Sequence, residues 1–172
     1  MSVDPKVEQL PMRDAIGTEL APNERFQIQL CAIEHSLQVT LQNLDNHGLS
    51  PVERLNIMKD YNKCLNHRFQ LELAHYKRDW PSYYEGLEAA AIERHANGTR
   101  KLKVKKLNHE IFLAEKNHRM LTWRHRPGNR RRINHLWRLR EQIVAQCWTG
   151  VPYYTEVTTL QELIFGSEPQ GS

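Results

Sequence analysis

Apolar residues in this chain recur at the spacing of an α-helix, and this periodicity constrains the fold more than any other feature. Between residues 26 and 44, steps of three and four residues separate Phe26, Leu30, Ile33, Leu37, Leu41 and Leu44. Such steps place all of these side chains on one side of a helix. The pattern is also close to a heptad repeat, so the stripe suits either an internal core or a partner chain. We favour the internal core, because the run is short.

The second predicted helix has a strong start signal at Ser50. A Ser N-cap, Pro51 at the first helical position and Glu53 three residues after the cap form the pattern of a capping box. The helix should run to about Asp79, because Pro81 follows. One side of it carries Met58, Tyr61, Leu65, Phe69, Leu73, Tyr76 and Trp80.

The second half of the chain has the same helical periodicity. Ser82 and Glu85 offer another capping box, for a shorter helix that ends near Gly98, with Thr99 as the next N-cap. Further helices are predicted at about 100–122 and 130–148, joined by a turn at Arg126-Pro127-Gly128-Asn129, and a short one at 155–165. The sequence therefore predicts an all-α protein, a five- or six-helix bundle or an elongated helical array with short connections.

The chain of 172 residues fits one domain. We expect an extended or mobile arm at 1–22, a single helical domain at 23–165 and a disordered tail at 166–172, because the two ends are poor in periodicity and rich in Pro, Gly or Ser. Cys31, Cys64 and Cys147 are odd in number and far apart, which favours three buried, inert thiols over a disulfide framework.

Positive charge is concentrated in a basic segment, residues 94–140. It holds 15 of the 24 Lys and Arg residues and only two acids, and so carries a formal charge of +13. The rest of the chain has nine Lys and Arg and 18 acids, a formal charge of −9. Such a distribution attracts a polyanion or an acidic protein to one part of the molecule.

Arginine dominates the centre of the basic segment, and no acid occurs between Lys116 and Arg140. An Arg side chain neutralises a phosphate and can form two parallel hydrogen bonds with its oxygens. An aromatic ring can stack on an unpaired base. We therefore predict a nucleic-acid-binding site, with RNA favoured over DNA, formed by Arg119, Trp123, Arg124, Arg126, Arg130, Arg131, Arg132 and Arg138. Phe112, among the lysines of the preceding helix, is a second candidate for stacking.

Other interpretations of the basic segment remain open. It suits an acidic protein partner, in which case the chain is a helical scaffold subunit of a larger protein or ribonucleoprotein assembly. It also suits a nuclear import signal at 124–132 or a solvated helix face. Arg140 falls inside the apolar arc of its helix, so we expect it to reach solvent or a carboxylate of an early helix. The helical apolar faces could contact other protein subunits or a second copy of the chain.

The sequence contains no recognisable reaction centre. Its nine histidines lack metal-ligand spacing, and it has neither a glycine-rich phosphate loop nor a nucleophile elbow. We predict a non-enzymatic protein with no metal or cofactor, and we expect His118 to be a hydrogen-bonded core histidine. No apolar run has the length of a membrane span and the first residues do not resemble a secretory signal, so we expect a nuclear or cytoplasmic location without membrane contact.

Overall fold

A computed structural model describes residues 22–147 of the chain. They form four helices: α1 (Pro22–Asn43), α2 (Pro51–Asp79), α3 (Tyr84–His118) and α4 (Arg126–Gln146), with a single 3-10 turn (Pro81–Tyr83) before α3. These residues contain no β-strand, so the all-helical class is confirmed for this part of the chain. The helix predicted at 155–165, the arm and the tail lie outside the described residues.

Helices α1 and α2 form an antiparallel hairpin, and α3 runs back along α2. The apolar stripe of α1 is buried, with only Leu41 partly accessible, and it faces Tyr61, Leu65 and Tyr76 of α2. The stripe therefore serves the internal core, as expected. Burial of these large apolar side chains is the main force that holds the hairpin together.

The start of α2 is fixed by the capping box that the sequence predicts. The Ser50 hydroxyl accepts a hydrogen bond from the Glu53 amide at 3.2 Å, and the Ser50 amide donates to the Glu53 carboxylate at 3.4 Å. Next to it, the buried Arg54 guanidinium donates to the backbone carbonyls of Leu44 and Asn46. The cap and this arginine together define the α1–α2 turn.

The predicted helix break at Asn97-Gly98 is wrong, because α3 continues through it. Gly98 is buried where α3 crosses α2, and a Cβ atom on it would lie 2.3 Å from Leu65 Cδ1. Thr99 does not cap a new helix; its hydroxyl donates to the carbonyl of His95 one turn earlier. This glycine allows close helix packing instead of ending a helix.

The second predicted capping box is also wrong. Ser82 lies in the 3-10 turn, and α3 begins at Tyr84 after Tyr83, whose side chain makes no capping hydrogen bond. The 3-10 turn shifts the N-cap by one residue, from Ser82 to Tyr83, which takes Ser82 and Glu85 out of capping register.

A buried charge network joins α1, α2 and α3. The Glu72 carboxylate is only 1% exposed and accepts hydrogen bonds from Arg94 Nε at 2.9 Å and Arg94 Nη2 at 2.5 Å. Arg68 lies 3.8 Å from the same carboxylate and also bonds Glu34 of α1 and the carbonyl of Arg94. Arg94, counted in the basic segment, is therefore a structural residue.

Helix α4 folds back antiparallel onto the second half of α3. Leu136 is buried against Ile111 and Ala114, with Ile133 and Leu107 packed around them. Helix α4 begins at Arg126, so the predicted turn at 126–129 is wrong: these residues form the first helical turn. Pro127 near the helix N-terminus costs no backbone hydrogen bond, which explains why this sequence can be helical.

Candidate nucleic-acid interface

The structure separates the basic segment into a part used internally and a part that faces solvent. Arg94 binds Glu72, Arg100 lies 3.5 Å from Glu93, and Lys105 lies 2.7 Å from Asp45 of the α1–α2 turn. These ion pairs all involve cations of α3 before residue 106. The charge that remains available is therefore displaced toward α4.

The eight residues predicted to form the site are all solvent-exposed. None of the seven arginines forms an ion pair with a carboxylate of residues 22–147. Two of them bond backbone carbonyls: Arg126 Nε donates to Leu121 at 3.1 Å, and Arg131 Nε to Pro127 at 3.5 Å. Their positive charge is thus not neutralised within the described part of the chain.

The turn between α3 and α4, residues 119–125, is the first part of the site and is called here the tip. Met120 and Trp123 are 82% and 75% exposed, and the Arg124 guanidinium carbon lies 5.5 Å from the Trp123 ring centroid. Backbone hydrogen bonds from Met120 to Asn117, from His125 to Thr122 and from Arg126 to Thr122 order the turn. The exposed Trp123 indole is available to a ligand.

Asn129 fastens the base of the tip. Its side-chain amide donates to the carbonyl of Ala114 at 3.0 Å and lies 3.1 Å from Nδ1 of His118. His118 is half-buried and bonded, close to the expectation from the sequence. Because these contacts join the end of α3 to the first turn of α4, they fix the backbone of the tip relative to both helices.

The second part of the site is the outward face of α4, defined by Arg131, Asn134, His135, Arg138 and Gln142. These side chains recur at helical intervals on the side away from Ile133 and Leu136, and all five are exposed. Arg130 and Arg132 flank the face. It spans about 16 Å along the helix axis, and each of its side chains can form hydrogen bonds with phosphates or base edges.

Phe112 has a role that sequence reasoning missed. Its ring stacks on His47 of the α1–α2 turn, with centroids 4.1 Å apart and planes 7° apart, and His47 Nδ1 lies 2.9 Å from His109 Nδ1. This packing leaves Phe112 only 38% exposed and occupies one side of its ring. The contact joins residues far apart in the chain, so no local pattern could have revealed it.

Arg140 occupies the interface between α3 and α4 without the expected carboxylate. Its Nε donates to the Asn108 side-chain oxygen at 2.5 Å, and its guanidinium lies 5.4 Å from the Trp137 ring centroid. Because Arg140 is only half-buried, its guanidinium needs no carboxylate partner beside the Asn108 side chain. Arg140 therefore contributes to the packing of the hairpin and lies apart from the exposed arginines.

Other functional groups on the described residues give no second site of comparable definition. No group of three or more His, Cys, Asp or Glu side chains there is placed to hold a metal ion. The three cysteines are free thiols, but the expectation that all three are buried is wrong: Cys31 is exposed, and Cys64 and Cys147 are only partly buried. No helix among residues 22–147 combines the length and apolar character needed to cross a membrane.

Comparison with known proteins finds no matching family model, no similar curated protein and no similar solved structure.

Proposed function

We propose that this is a non-enzymatic helical nucleic-acid-binding protein, with RNA favoured over DNA, located in the nucleus or cytoplasm. The observation that carries the proposal is the set of seven exposed arginines on the tip and α4, none of which is neutralised by a described carboxylate. Each arginine that binds a phosphate releases a condensed counterion, which favours binding strongly at low salt.

The arrangement of the arginines supports a phosphate chain as the ligand. Arg124 lies at the tip, Arg126 is the first residue of α4, and Arg131 and Arg138 lie on the outward face of that helix. From Arg126 to Arg138 the cations extend about 18 Å along the helix axis. Guanidinium groups pair with phosphate oxygens in a bidentate manner that lysine cannot reproduce. The packing of α3 against α4 provides a rigid support for these arginines.

A salt titration tests the proposal. If about six of the seven arginines each bind a phosphate, a plot of the logarithm of the affinity against the logarithm of the salt concentration should have a slope of about −4 to −5. The measurement is fluorescence anisotropy of a labelled oligonucleotide between low and physiological salt. A slope near zero, or no binding to RNA or DNA at low salt, contradicts the proposal.

Charge-reversal variants identify the residues responsible. The triple variant R130E/R131E/R132E should abolish binding and keep the helical circular dichroism spectrum, because all three side chains are exposed. The matched control is K59E/K63E/K77E on α2, which changes the net charge equally at exposed positions outside the site. Equal losses in the two variants would show a net-charge effect, and unchanged binding in the first would remove these arginines from the site.

A second candidate function is a helical scaffold subunit whose basic segment docks on an acidic protein. The exposure of Leu113 of α3, which is 48% accessible, favours it, because the buried core of a protein interface is more apolar than the rest of the surface. Nuclease treatment of a native pull-down separates the two candidates: partners held by nucleic acid are released, while a directly bound acidic protein is retained.

A further inference from the structure

The end of the α3–α4 hairpin projects beyond the rest of the described structure. His47, in the α1–α2 turn, lies against Phe112, and six more residues of α3 lead from there to His118. The hairpin therefore extends about 9 Å past this contact before the tip begins. Trp123 therefore lies at the end of the projecting α3–α4 hairpin.

The tip combines exposed apolar side chains with arginines. Met120 and Trp123 are the two most exposed of the large apolar side chains in the described residues, and Arg119, Arg124 and Arg126 surround them in the sequence. The stretch from Lys116 to Arg140 contains no acid. A ligand for this surface must offer both flat apolar area and negative charge.

We propose that the tip binds an unpaired nucleotide by stacking its base on Trp123, so that the ligand is nucleic acid with a single-stranded segment. This inference rests on the proposed nucleic-acid-binding function. In a duplex the faces of the bases are covered by their neighbours, whereas an unpaired base offers a π-face to an aromatic ring. The Arg124 guanidinium lies over one face of the indole, 5.5 Å from its centroid, so the base would stack on the opposite face and Arg124 could pair with a phosphate of the same strand.

The position of the other arginines favours a flexible strand over an anionic membrane. A bilayer touched by the tip would leave Arg138 about 18 Å away along α4, from the first residue of the helix. That distance exceeds the Debye length of about 8 Å at physiological salt, so Arg138 would contribute little to membrane binding. A single strand can leave Trp123 and continue along the outward face of α4.

The test uses the full chain and three labelled probes: a single-stranded oligouridylate of 12 nucleotides, an oligoadenylate–oligouridylate duplex of the same length, and an abasic 12-mer with the same phosphates. Trp123→Ala should weaken single-strand binding by about 5- to 150-fold, the range of one base–aromatic stack. It should change duplex and abasic binding by less than about twofold. Trp123→Phe should recover most of the loss, because the ring is retained.

Trp137→Ala is the matched control, because Trp137 is a partly exposed tryptophan of α4 that donates to Glu115 instead of lying at the tip. It should leave the affinity for the single strand nearly unchanged. The inference is overturned if Trp123→Ala binds every probe as wild type does, or if it loses affinity equally for the duplex and abasic probes. It is also overturned if the variant loses binding only to vesicles of equal phosphatidylserine and phosphatidylcholine.

Failure of the inference and failure of the proposed function give different results. If the wild-type protein binds none of the probes at low salt, the nucleic-acid function itself is wrong. If R130E/R131E/R132E loses all probes while Trp123→Ala loses none, the arginines bind nucleic acid and only the stacking site is wrong. That second pattern would indicate phosphate contacts through the arginines without base stacking at the tip.

Discussion

The Tyr61 hydroxyl donates a hydrogen bond of 2.8 Å to the backbone carbonyl of Gly98, which joins the middle of α2 to the middle of α3. Both residues are buried, and burial is the main reason that the pKa of Tyr61 is raised to about 12. The contact is possible because Gly98 has no side chain. The separation of the two helices, and with it the course of α3 toward the tip, depends on this position.

We expect Gly98→Ala to destabilise the protein by about 1–3 kcal/mol, the usual effect of overpacking a core. The added Cβ would lie 2.3 Å from Leu65 Cδ1, and Leu65 is itself buried. Urea denaturation followed by circular dichroism measures the change in the free energy of unfolding. Because either α3 or the buried Leu65 side chain must shift to relieve the contact, the midpoint should fall without loss of helix content in the native state.

The matched control for Gly98 is Gly128→Ala in the first turns of α4. A Cβ at Gly128 would meet no atom within 4 Å. Alanine has the higher helix propensity, so the control should be neutral or more stable by up to about 1 kcal/mol. If both substitutions had the same effect, close packing at Gly98 would not be the cause.

The Gly98 contact also shows where sequence patterns reach their limit. The stripe from Phe26 to Leu44 and the capping box at Ser50 are local patterns, and the structure confirms both. A glycine between two helical stretches suits both a helix end and a close crossing. Only Leu65 and Tyr61, more than 30 residues away in the chain, decide between them.

The charge count had the same limitation for the candidate site. It located the basic segment, but the partners of Arg94, Arg100 and Lys105 became evident only once α3 was packed. For the arginines beyond Lys116 the local composition was a better guide, because the stretch from Lys116 to Arg140 contains no acid. All seven of these predicted arginines are exposed.

Removal of the buried carboxylate should be the most destabilising of the changes considered. Glu72→Gln keeps the size of the side chain but removes the charge that neutralises Arg94 and lies near Arg68. Breaking a buried ion pair on one side costs about 3–5 kcal/mol. Thermal denaturation should therefore show a large decrease in melting temperature.

Glu93→Gln is the control for the buried carboxylate. Glu93 pairs with Arg100 at 3.5 Å, but its side chain is 53% exposed. Exposed pairs contribute about 0–1 kcal/mol, so the melting temperature should hardly change. The double variant E72M/R94M should recover part of the stability lost in Glu72→Gln, since it removes both charges together. A double variant less stable than Glu72→Gln would contradict the assigned pairing.

Asn129→Ala should loosen the α3–α4 hairpin by about 1 kcal/mol, the net contribution of a typical hydrogen bond. The side-chain amide holds the carbonyl of Ala114 and contacts His118. Amide hydrogen exchange should accelerate in α4 and in the last turns of α3, while α1 and α2 keep their protection. Asn134→Ala is the control: Asn134 is exposed on the outward face of α4, so exchange should stay as in wild type.

Stability should decrease as the pH is lowered below about 6.5, because two histidines favour the neutral form in the folded state. His75 stacks on Phe26 with ring centroids 3.8 Å apart, and its burial is the main cause that lowers its pKa. Burial also lowers the pKa of His109, and the nearby charges of Arg54 and His47 lower it further. Their folded pKa values lie below the unfolded value of 6.5. The unfolded chain therefore binds more protons in this range, and the free energy of unfolding falls as pH decreases from 6.5 toward the folded pKa values.

Substitution of His75 tests the origin of this pH dependence. His75→Phe retains a ring against Phe26 but cannot titrate, so the decrease in the free energy of unfolding between pH 7 and pH 5 should become smaller than in wild type. Urea denaturation at each pH supplies the measurement. His67→Phe is the control, because that side chain is exposed on α2 and its removal should leave the pH dependence as it is. An unchanged slope in His75→Phe would show that His75 binds protons equally in the folded and unfolded states.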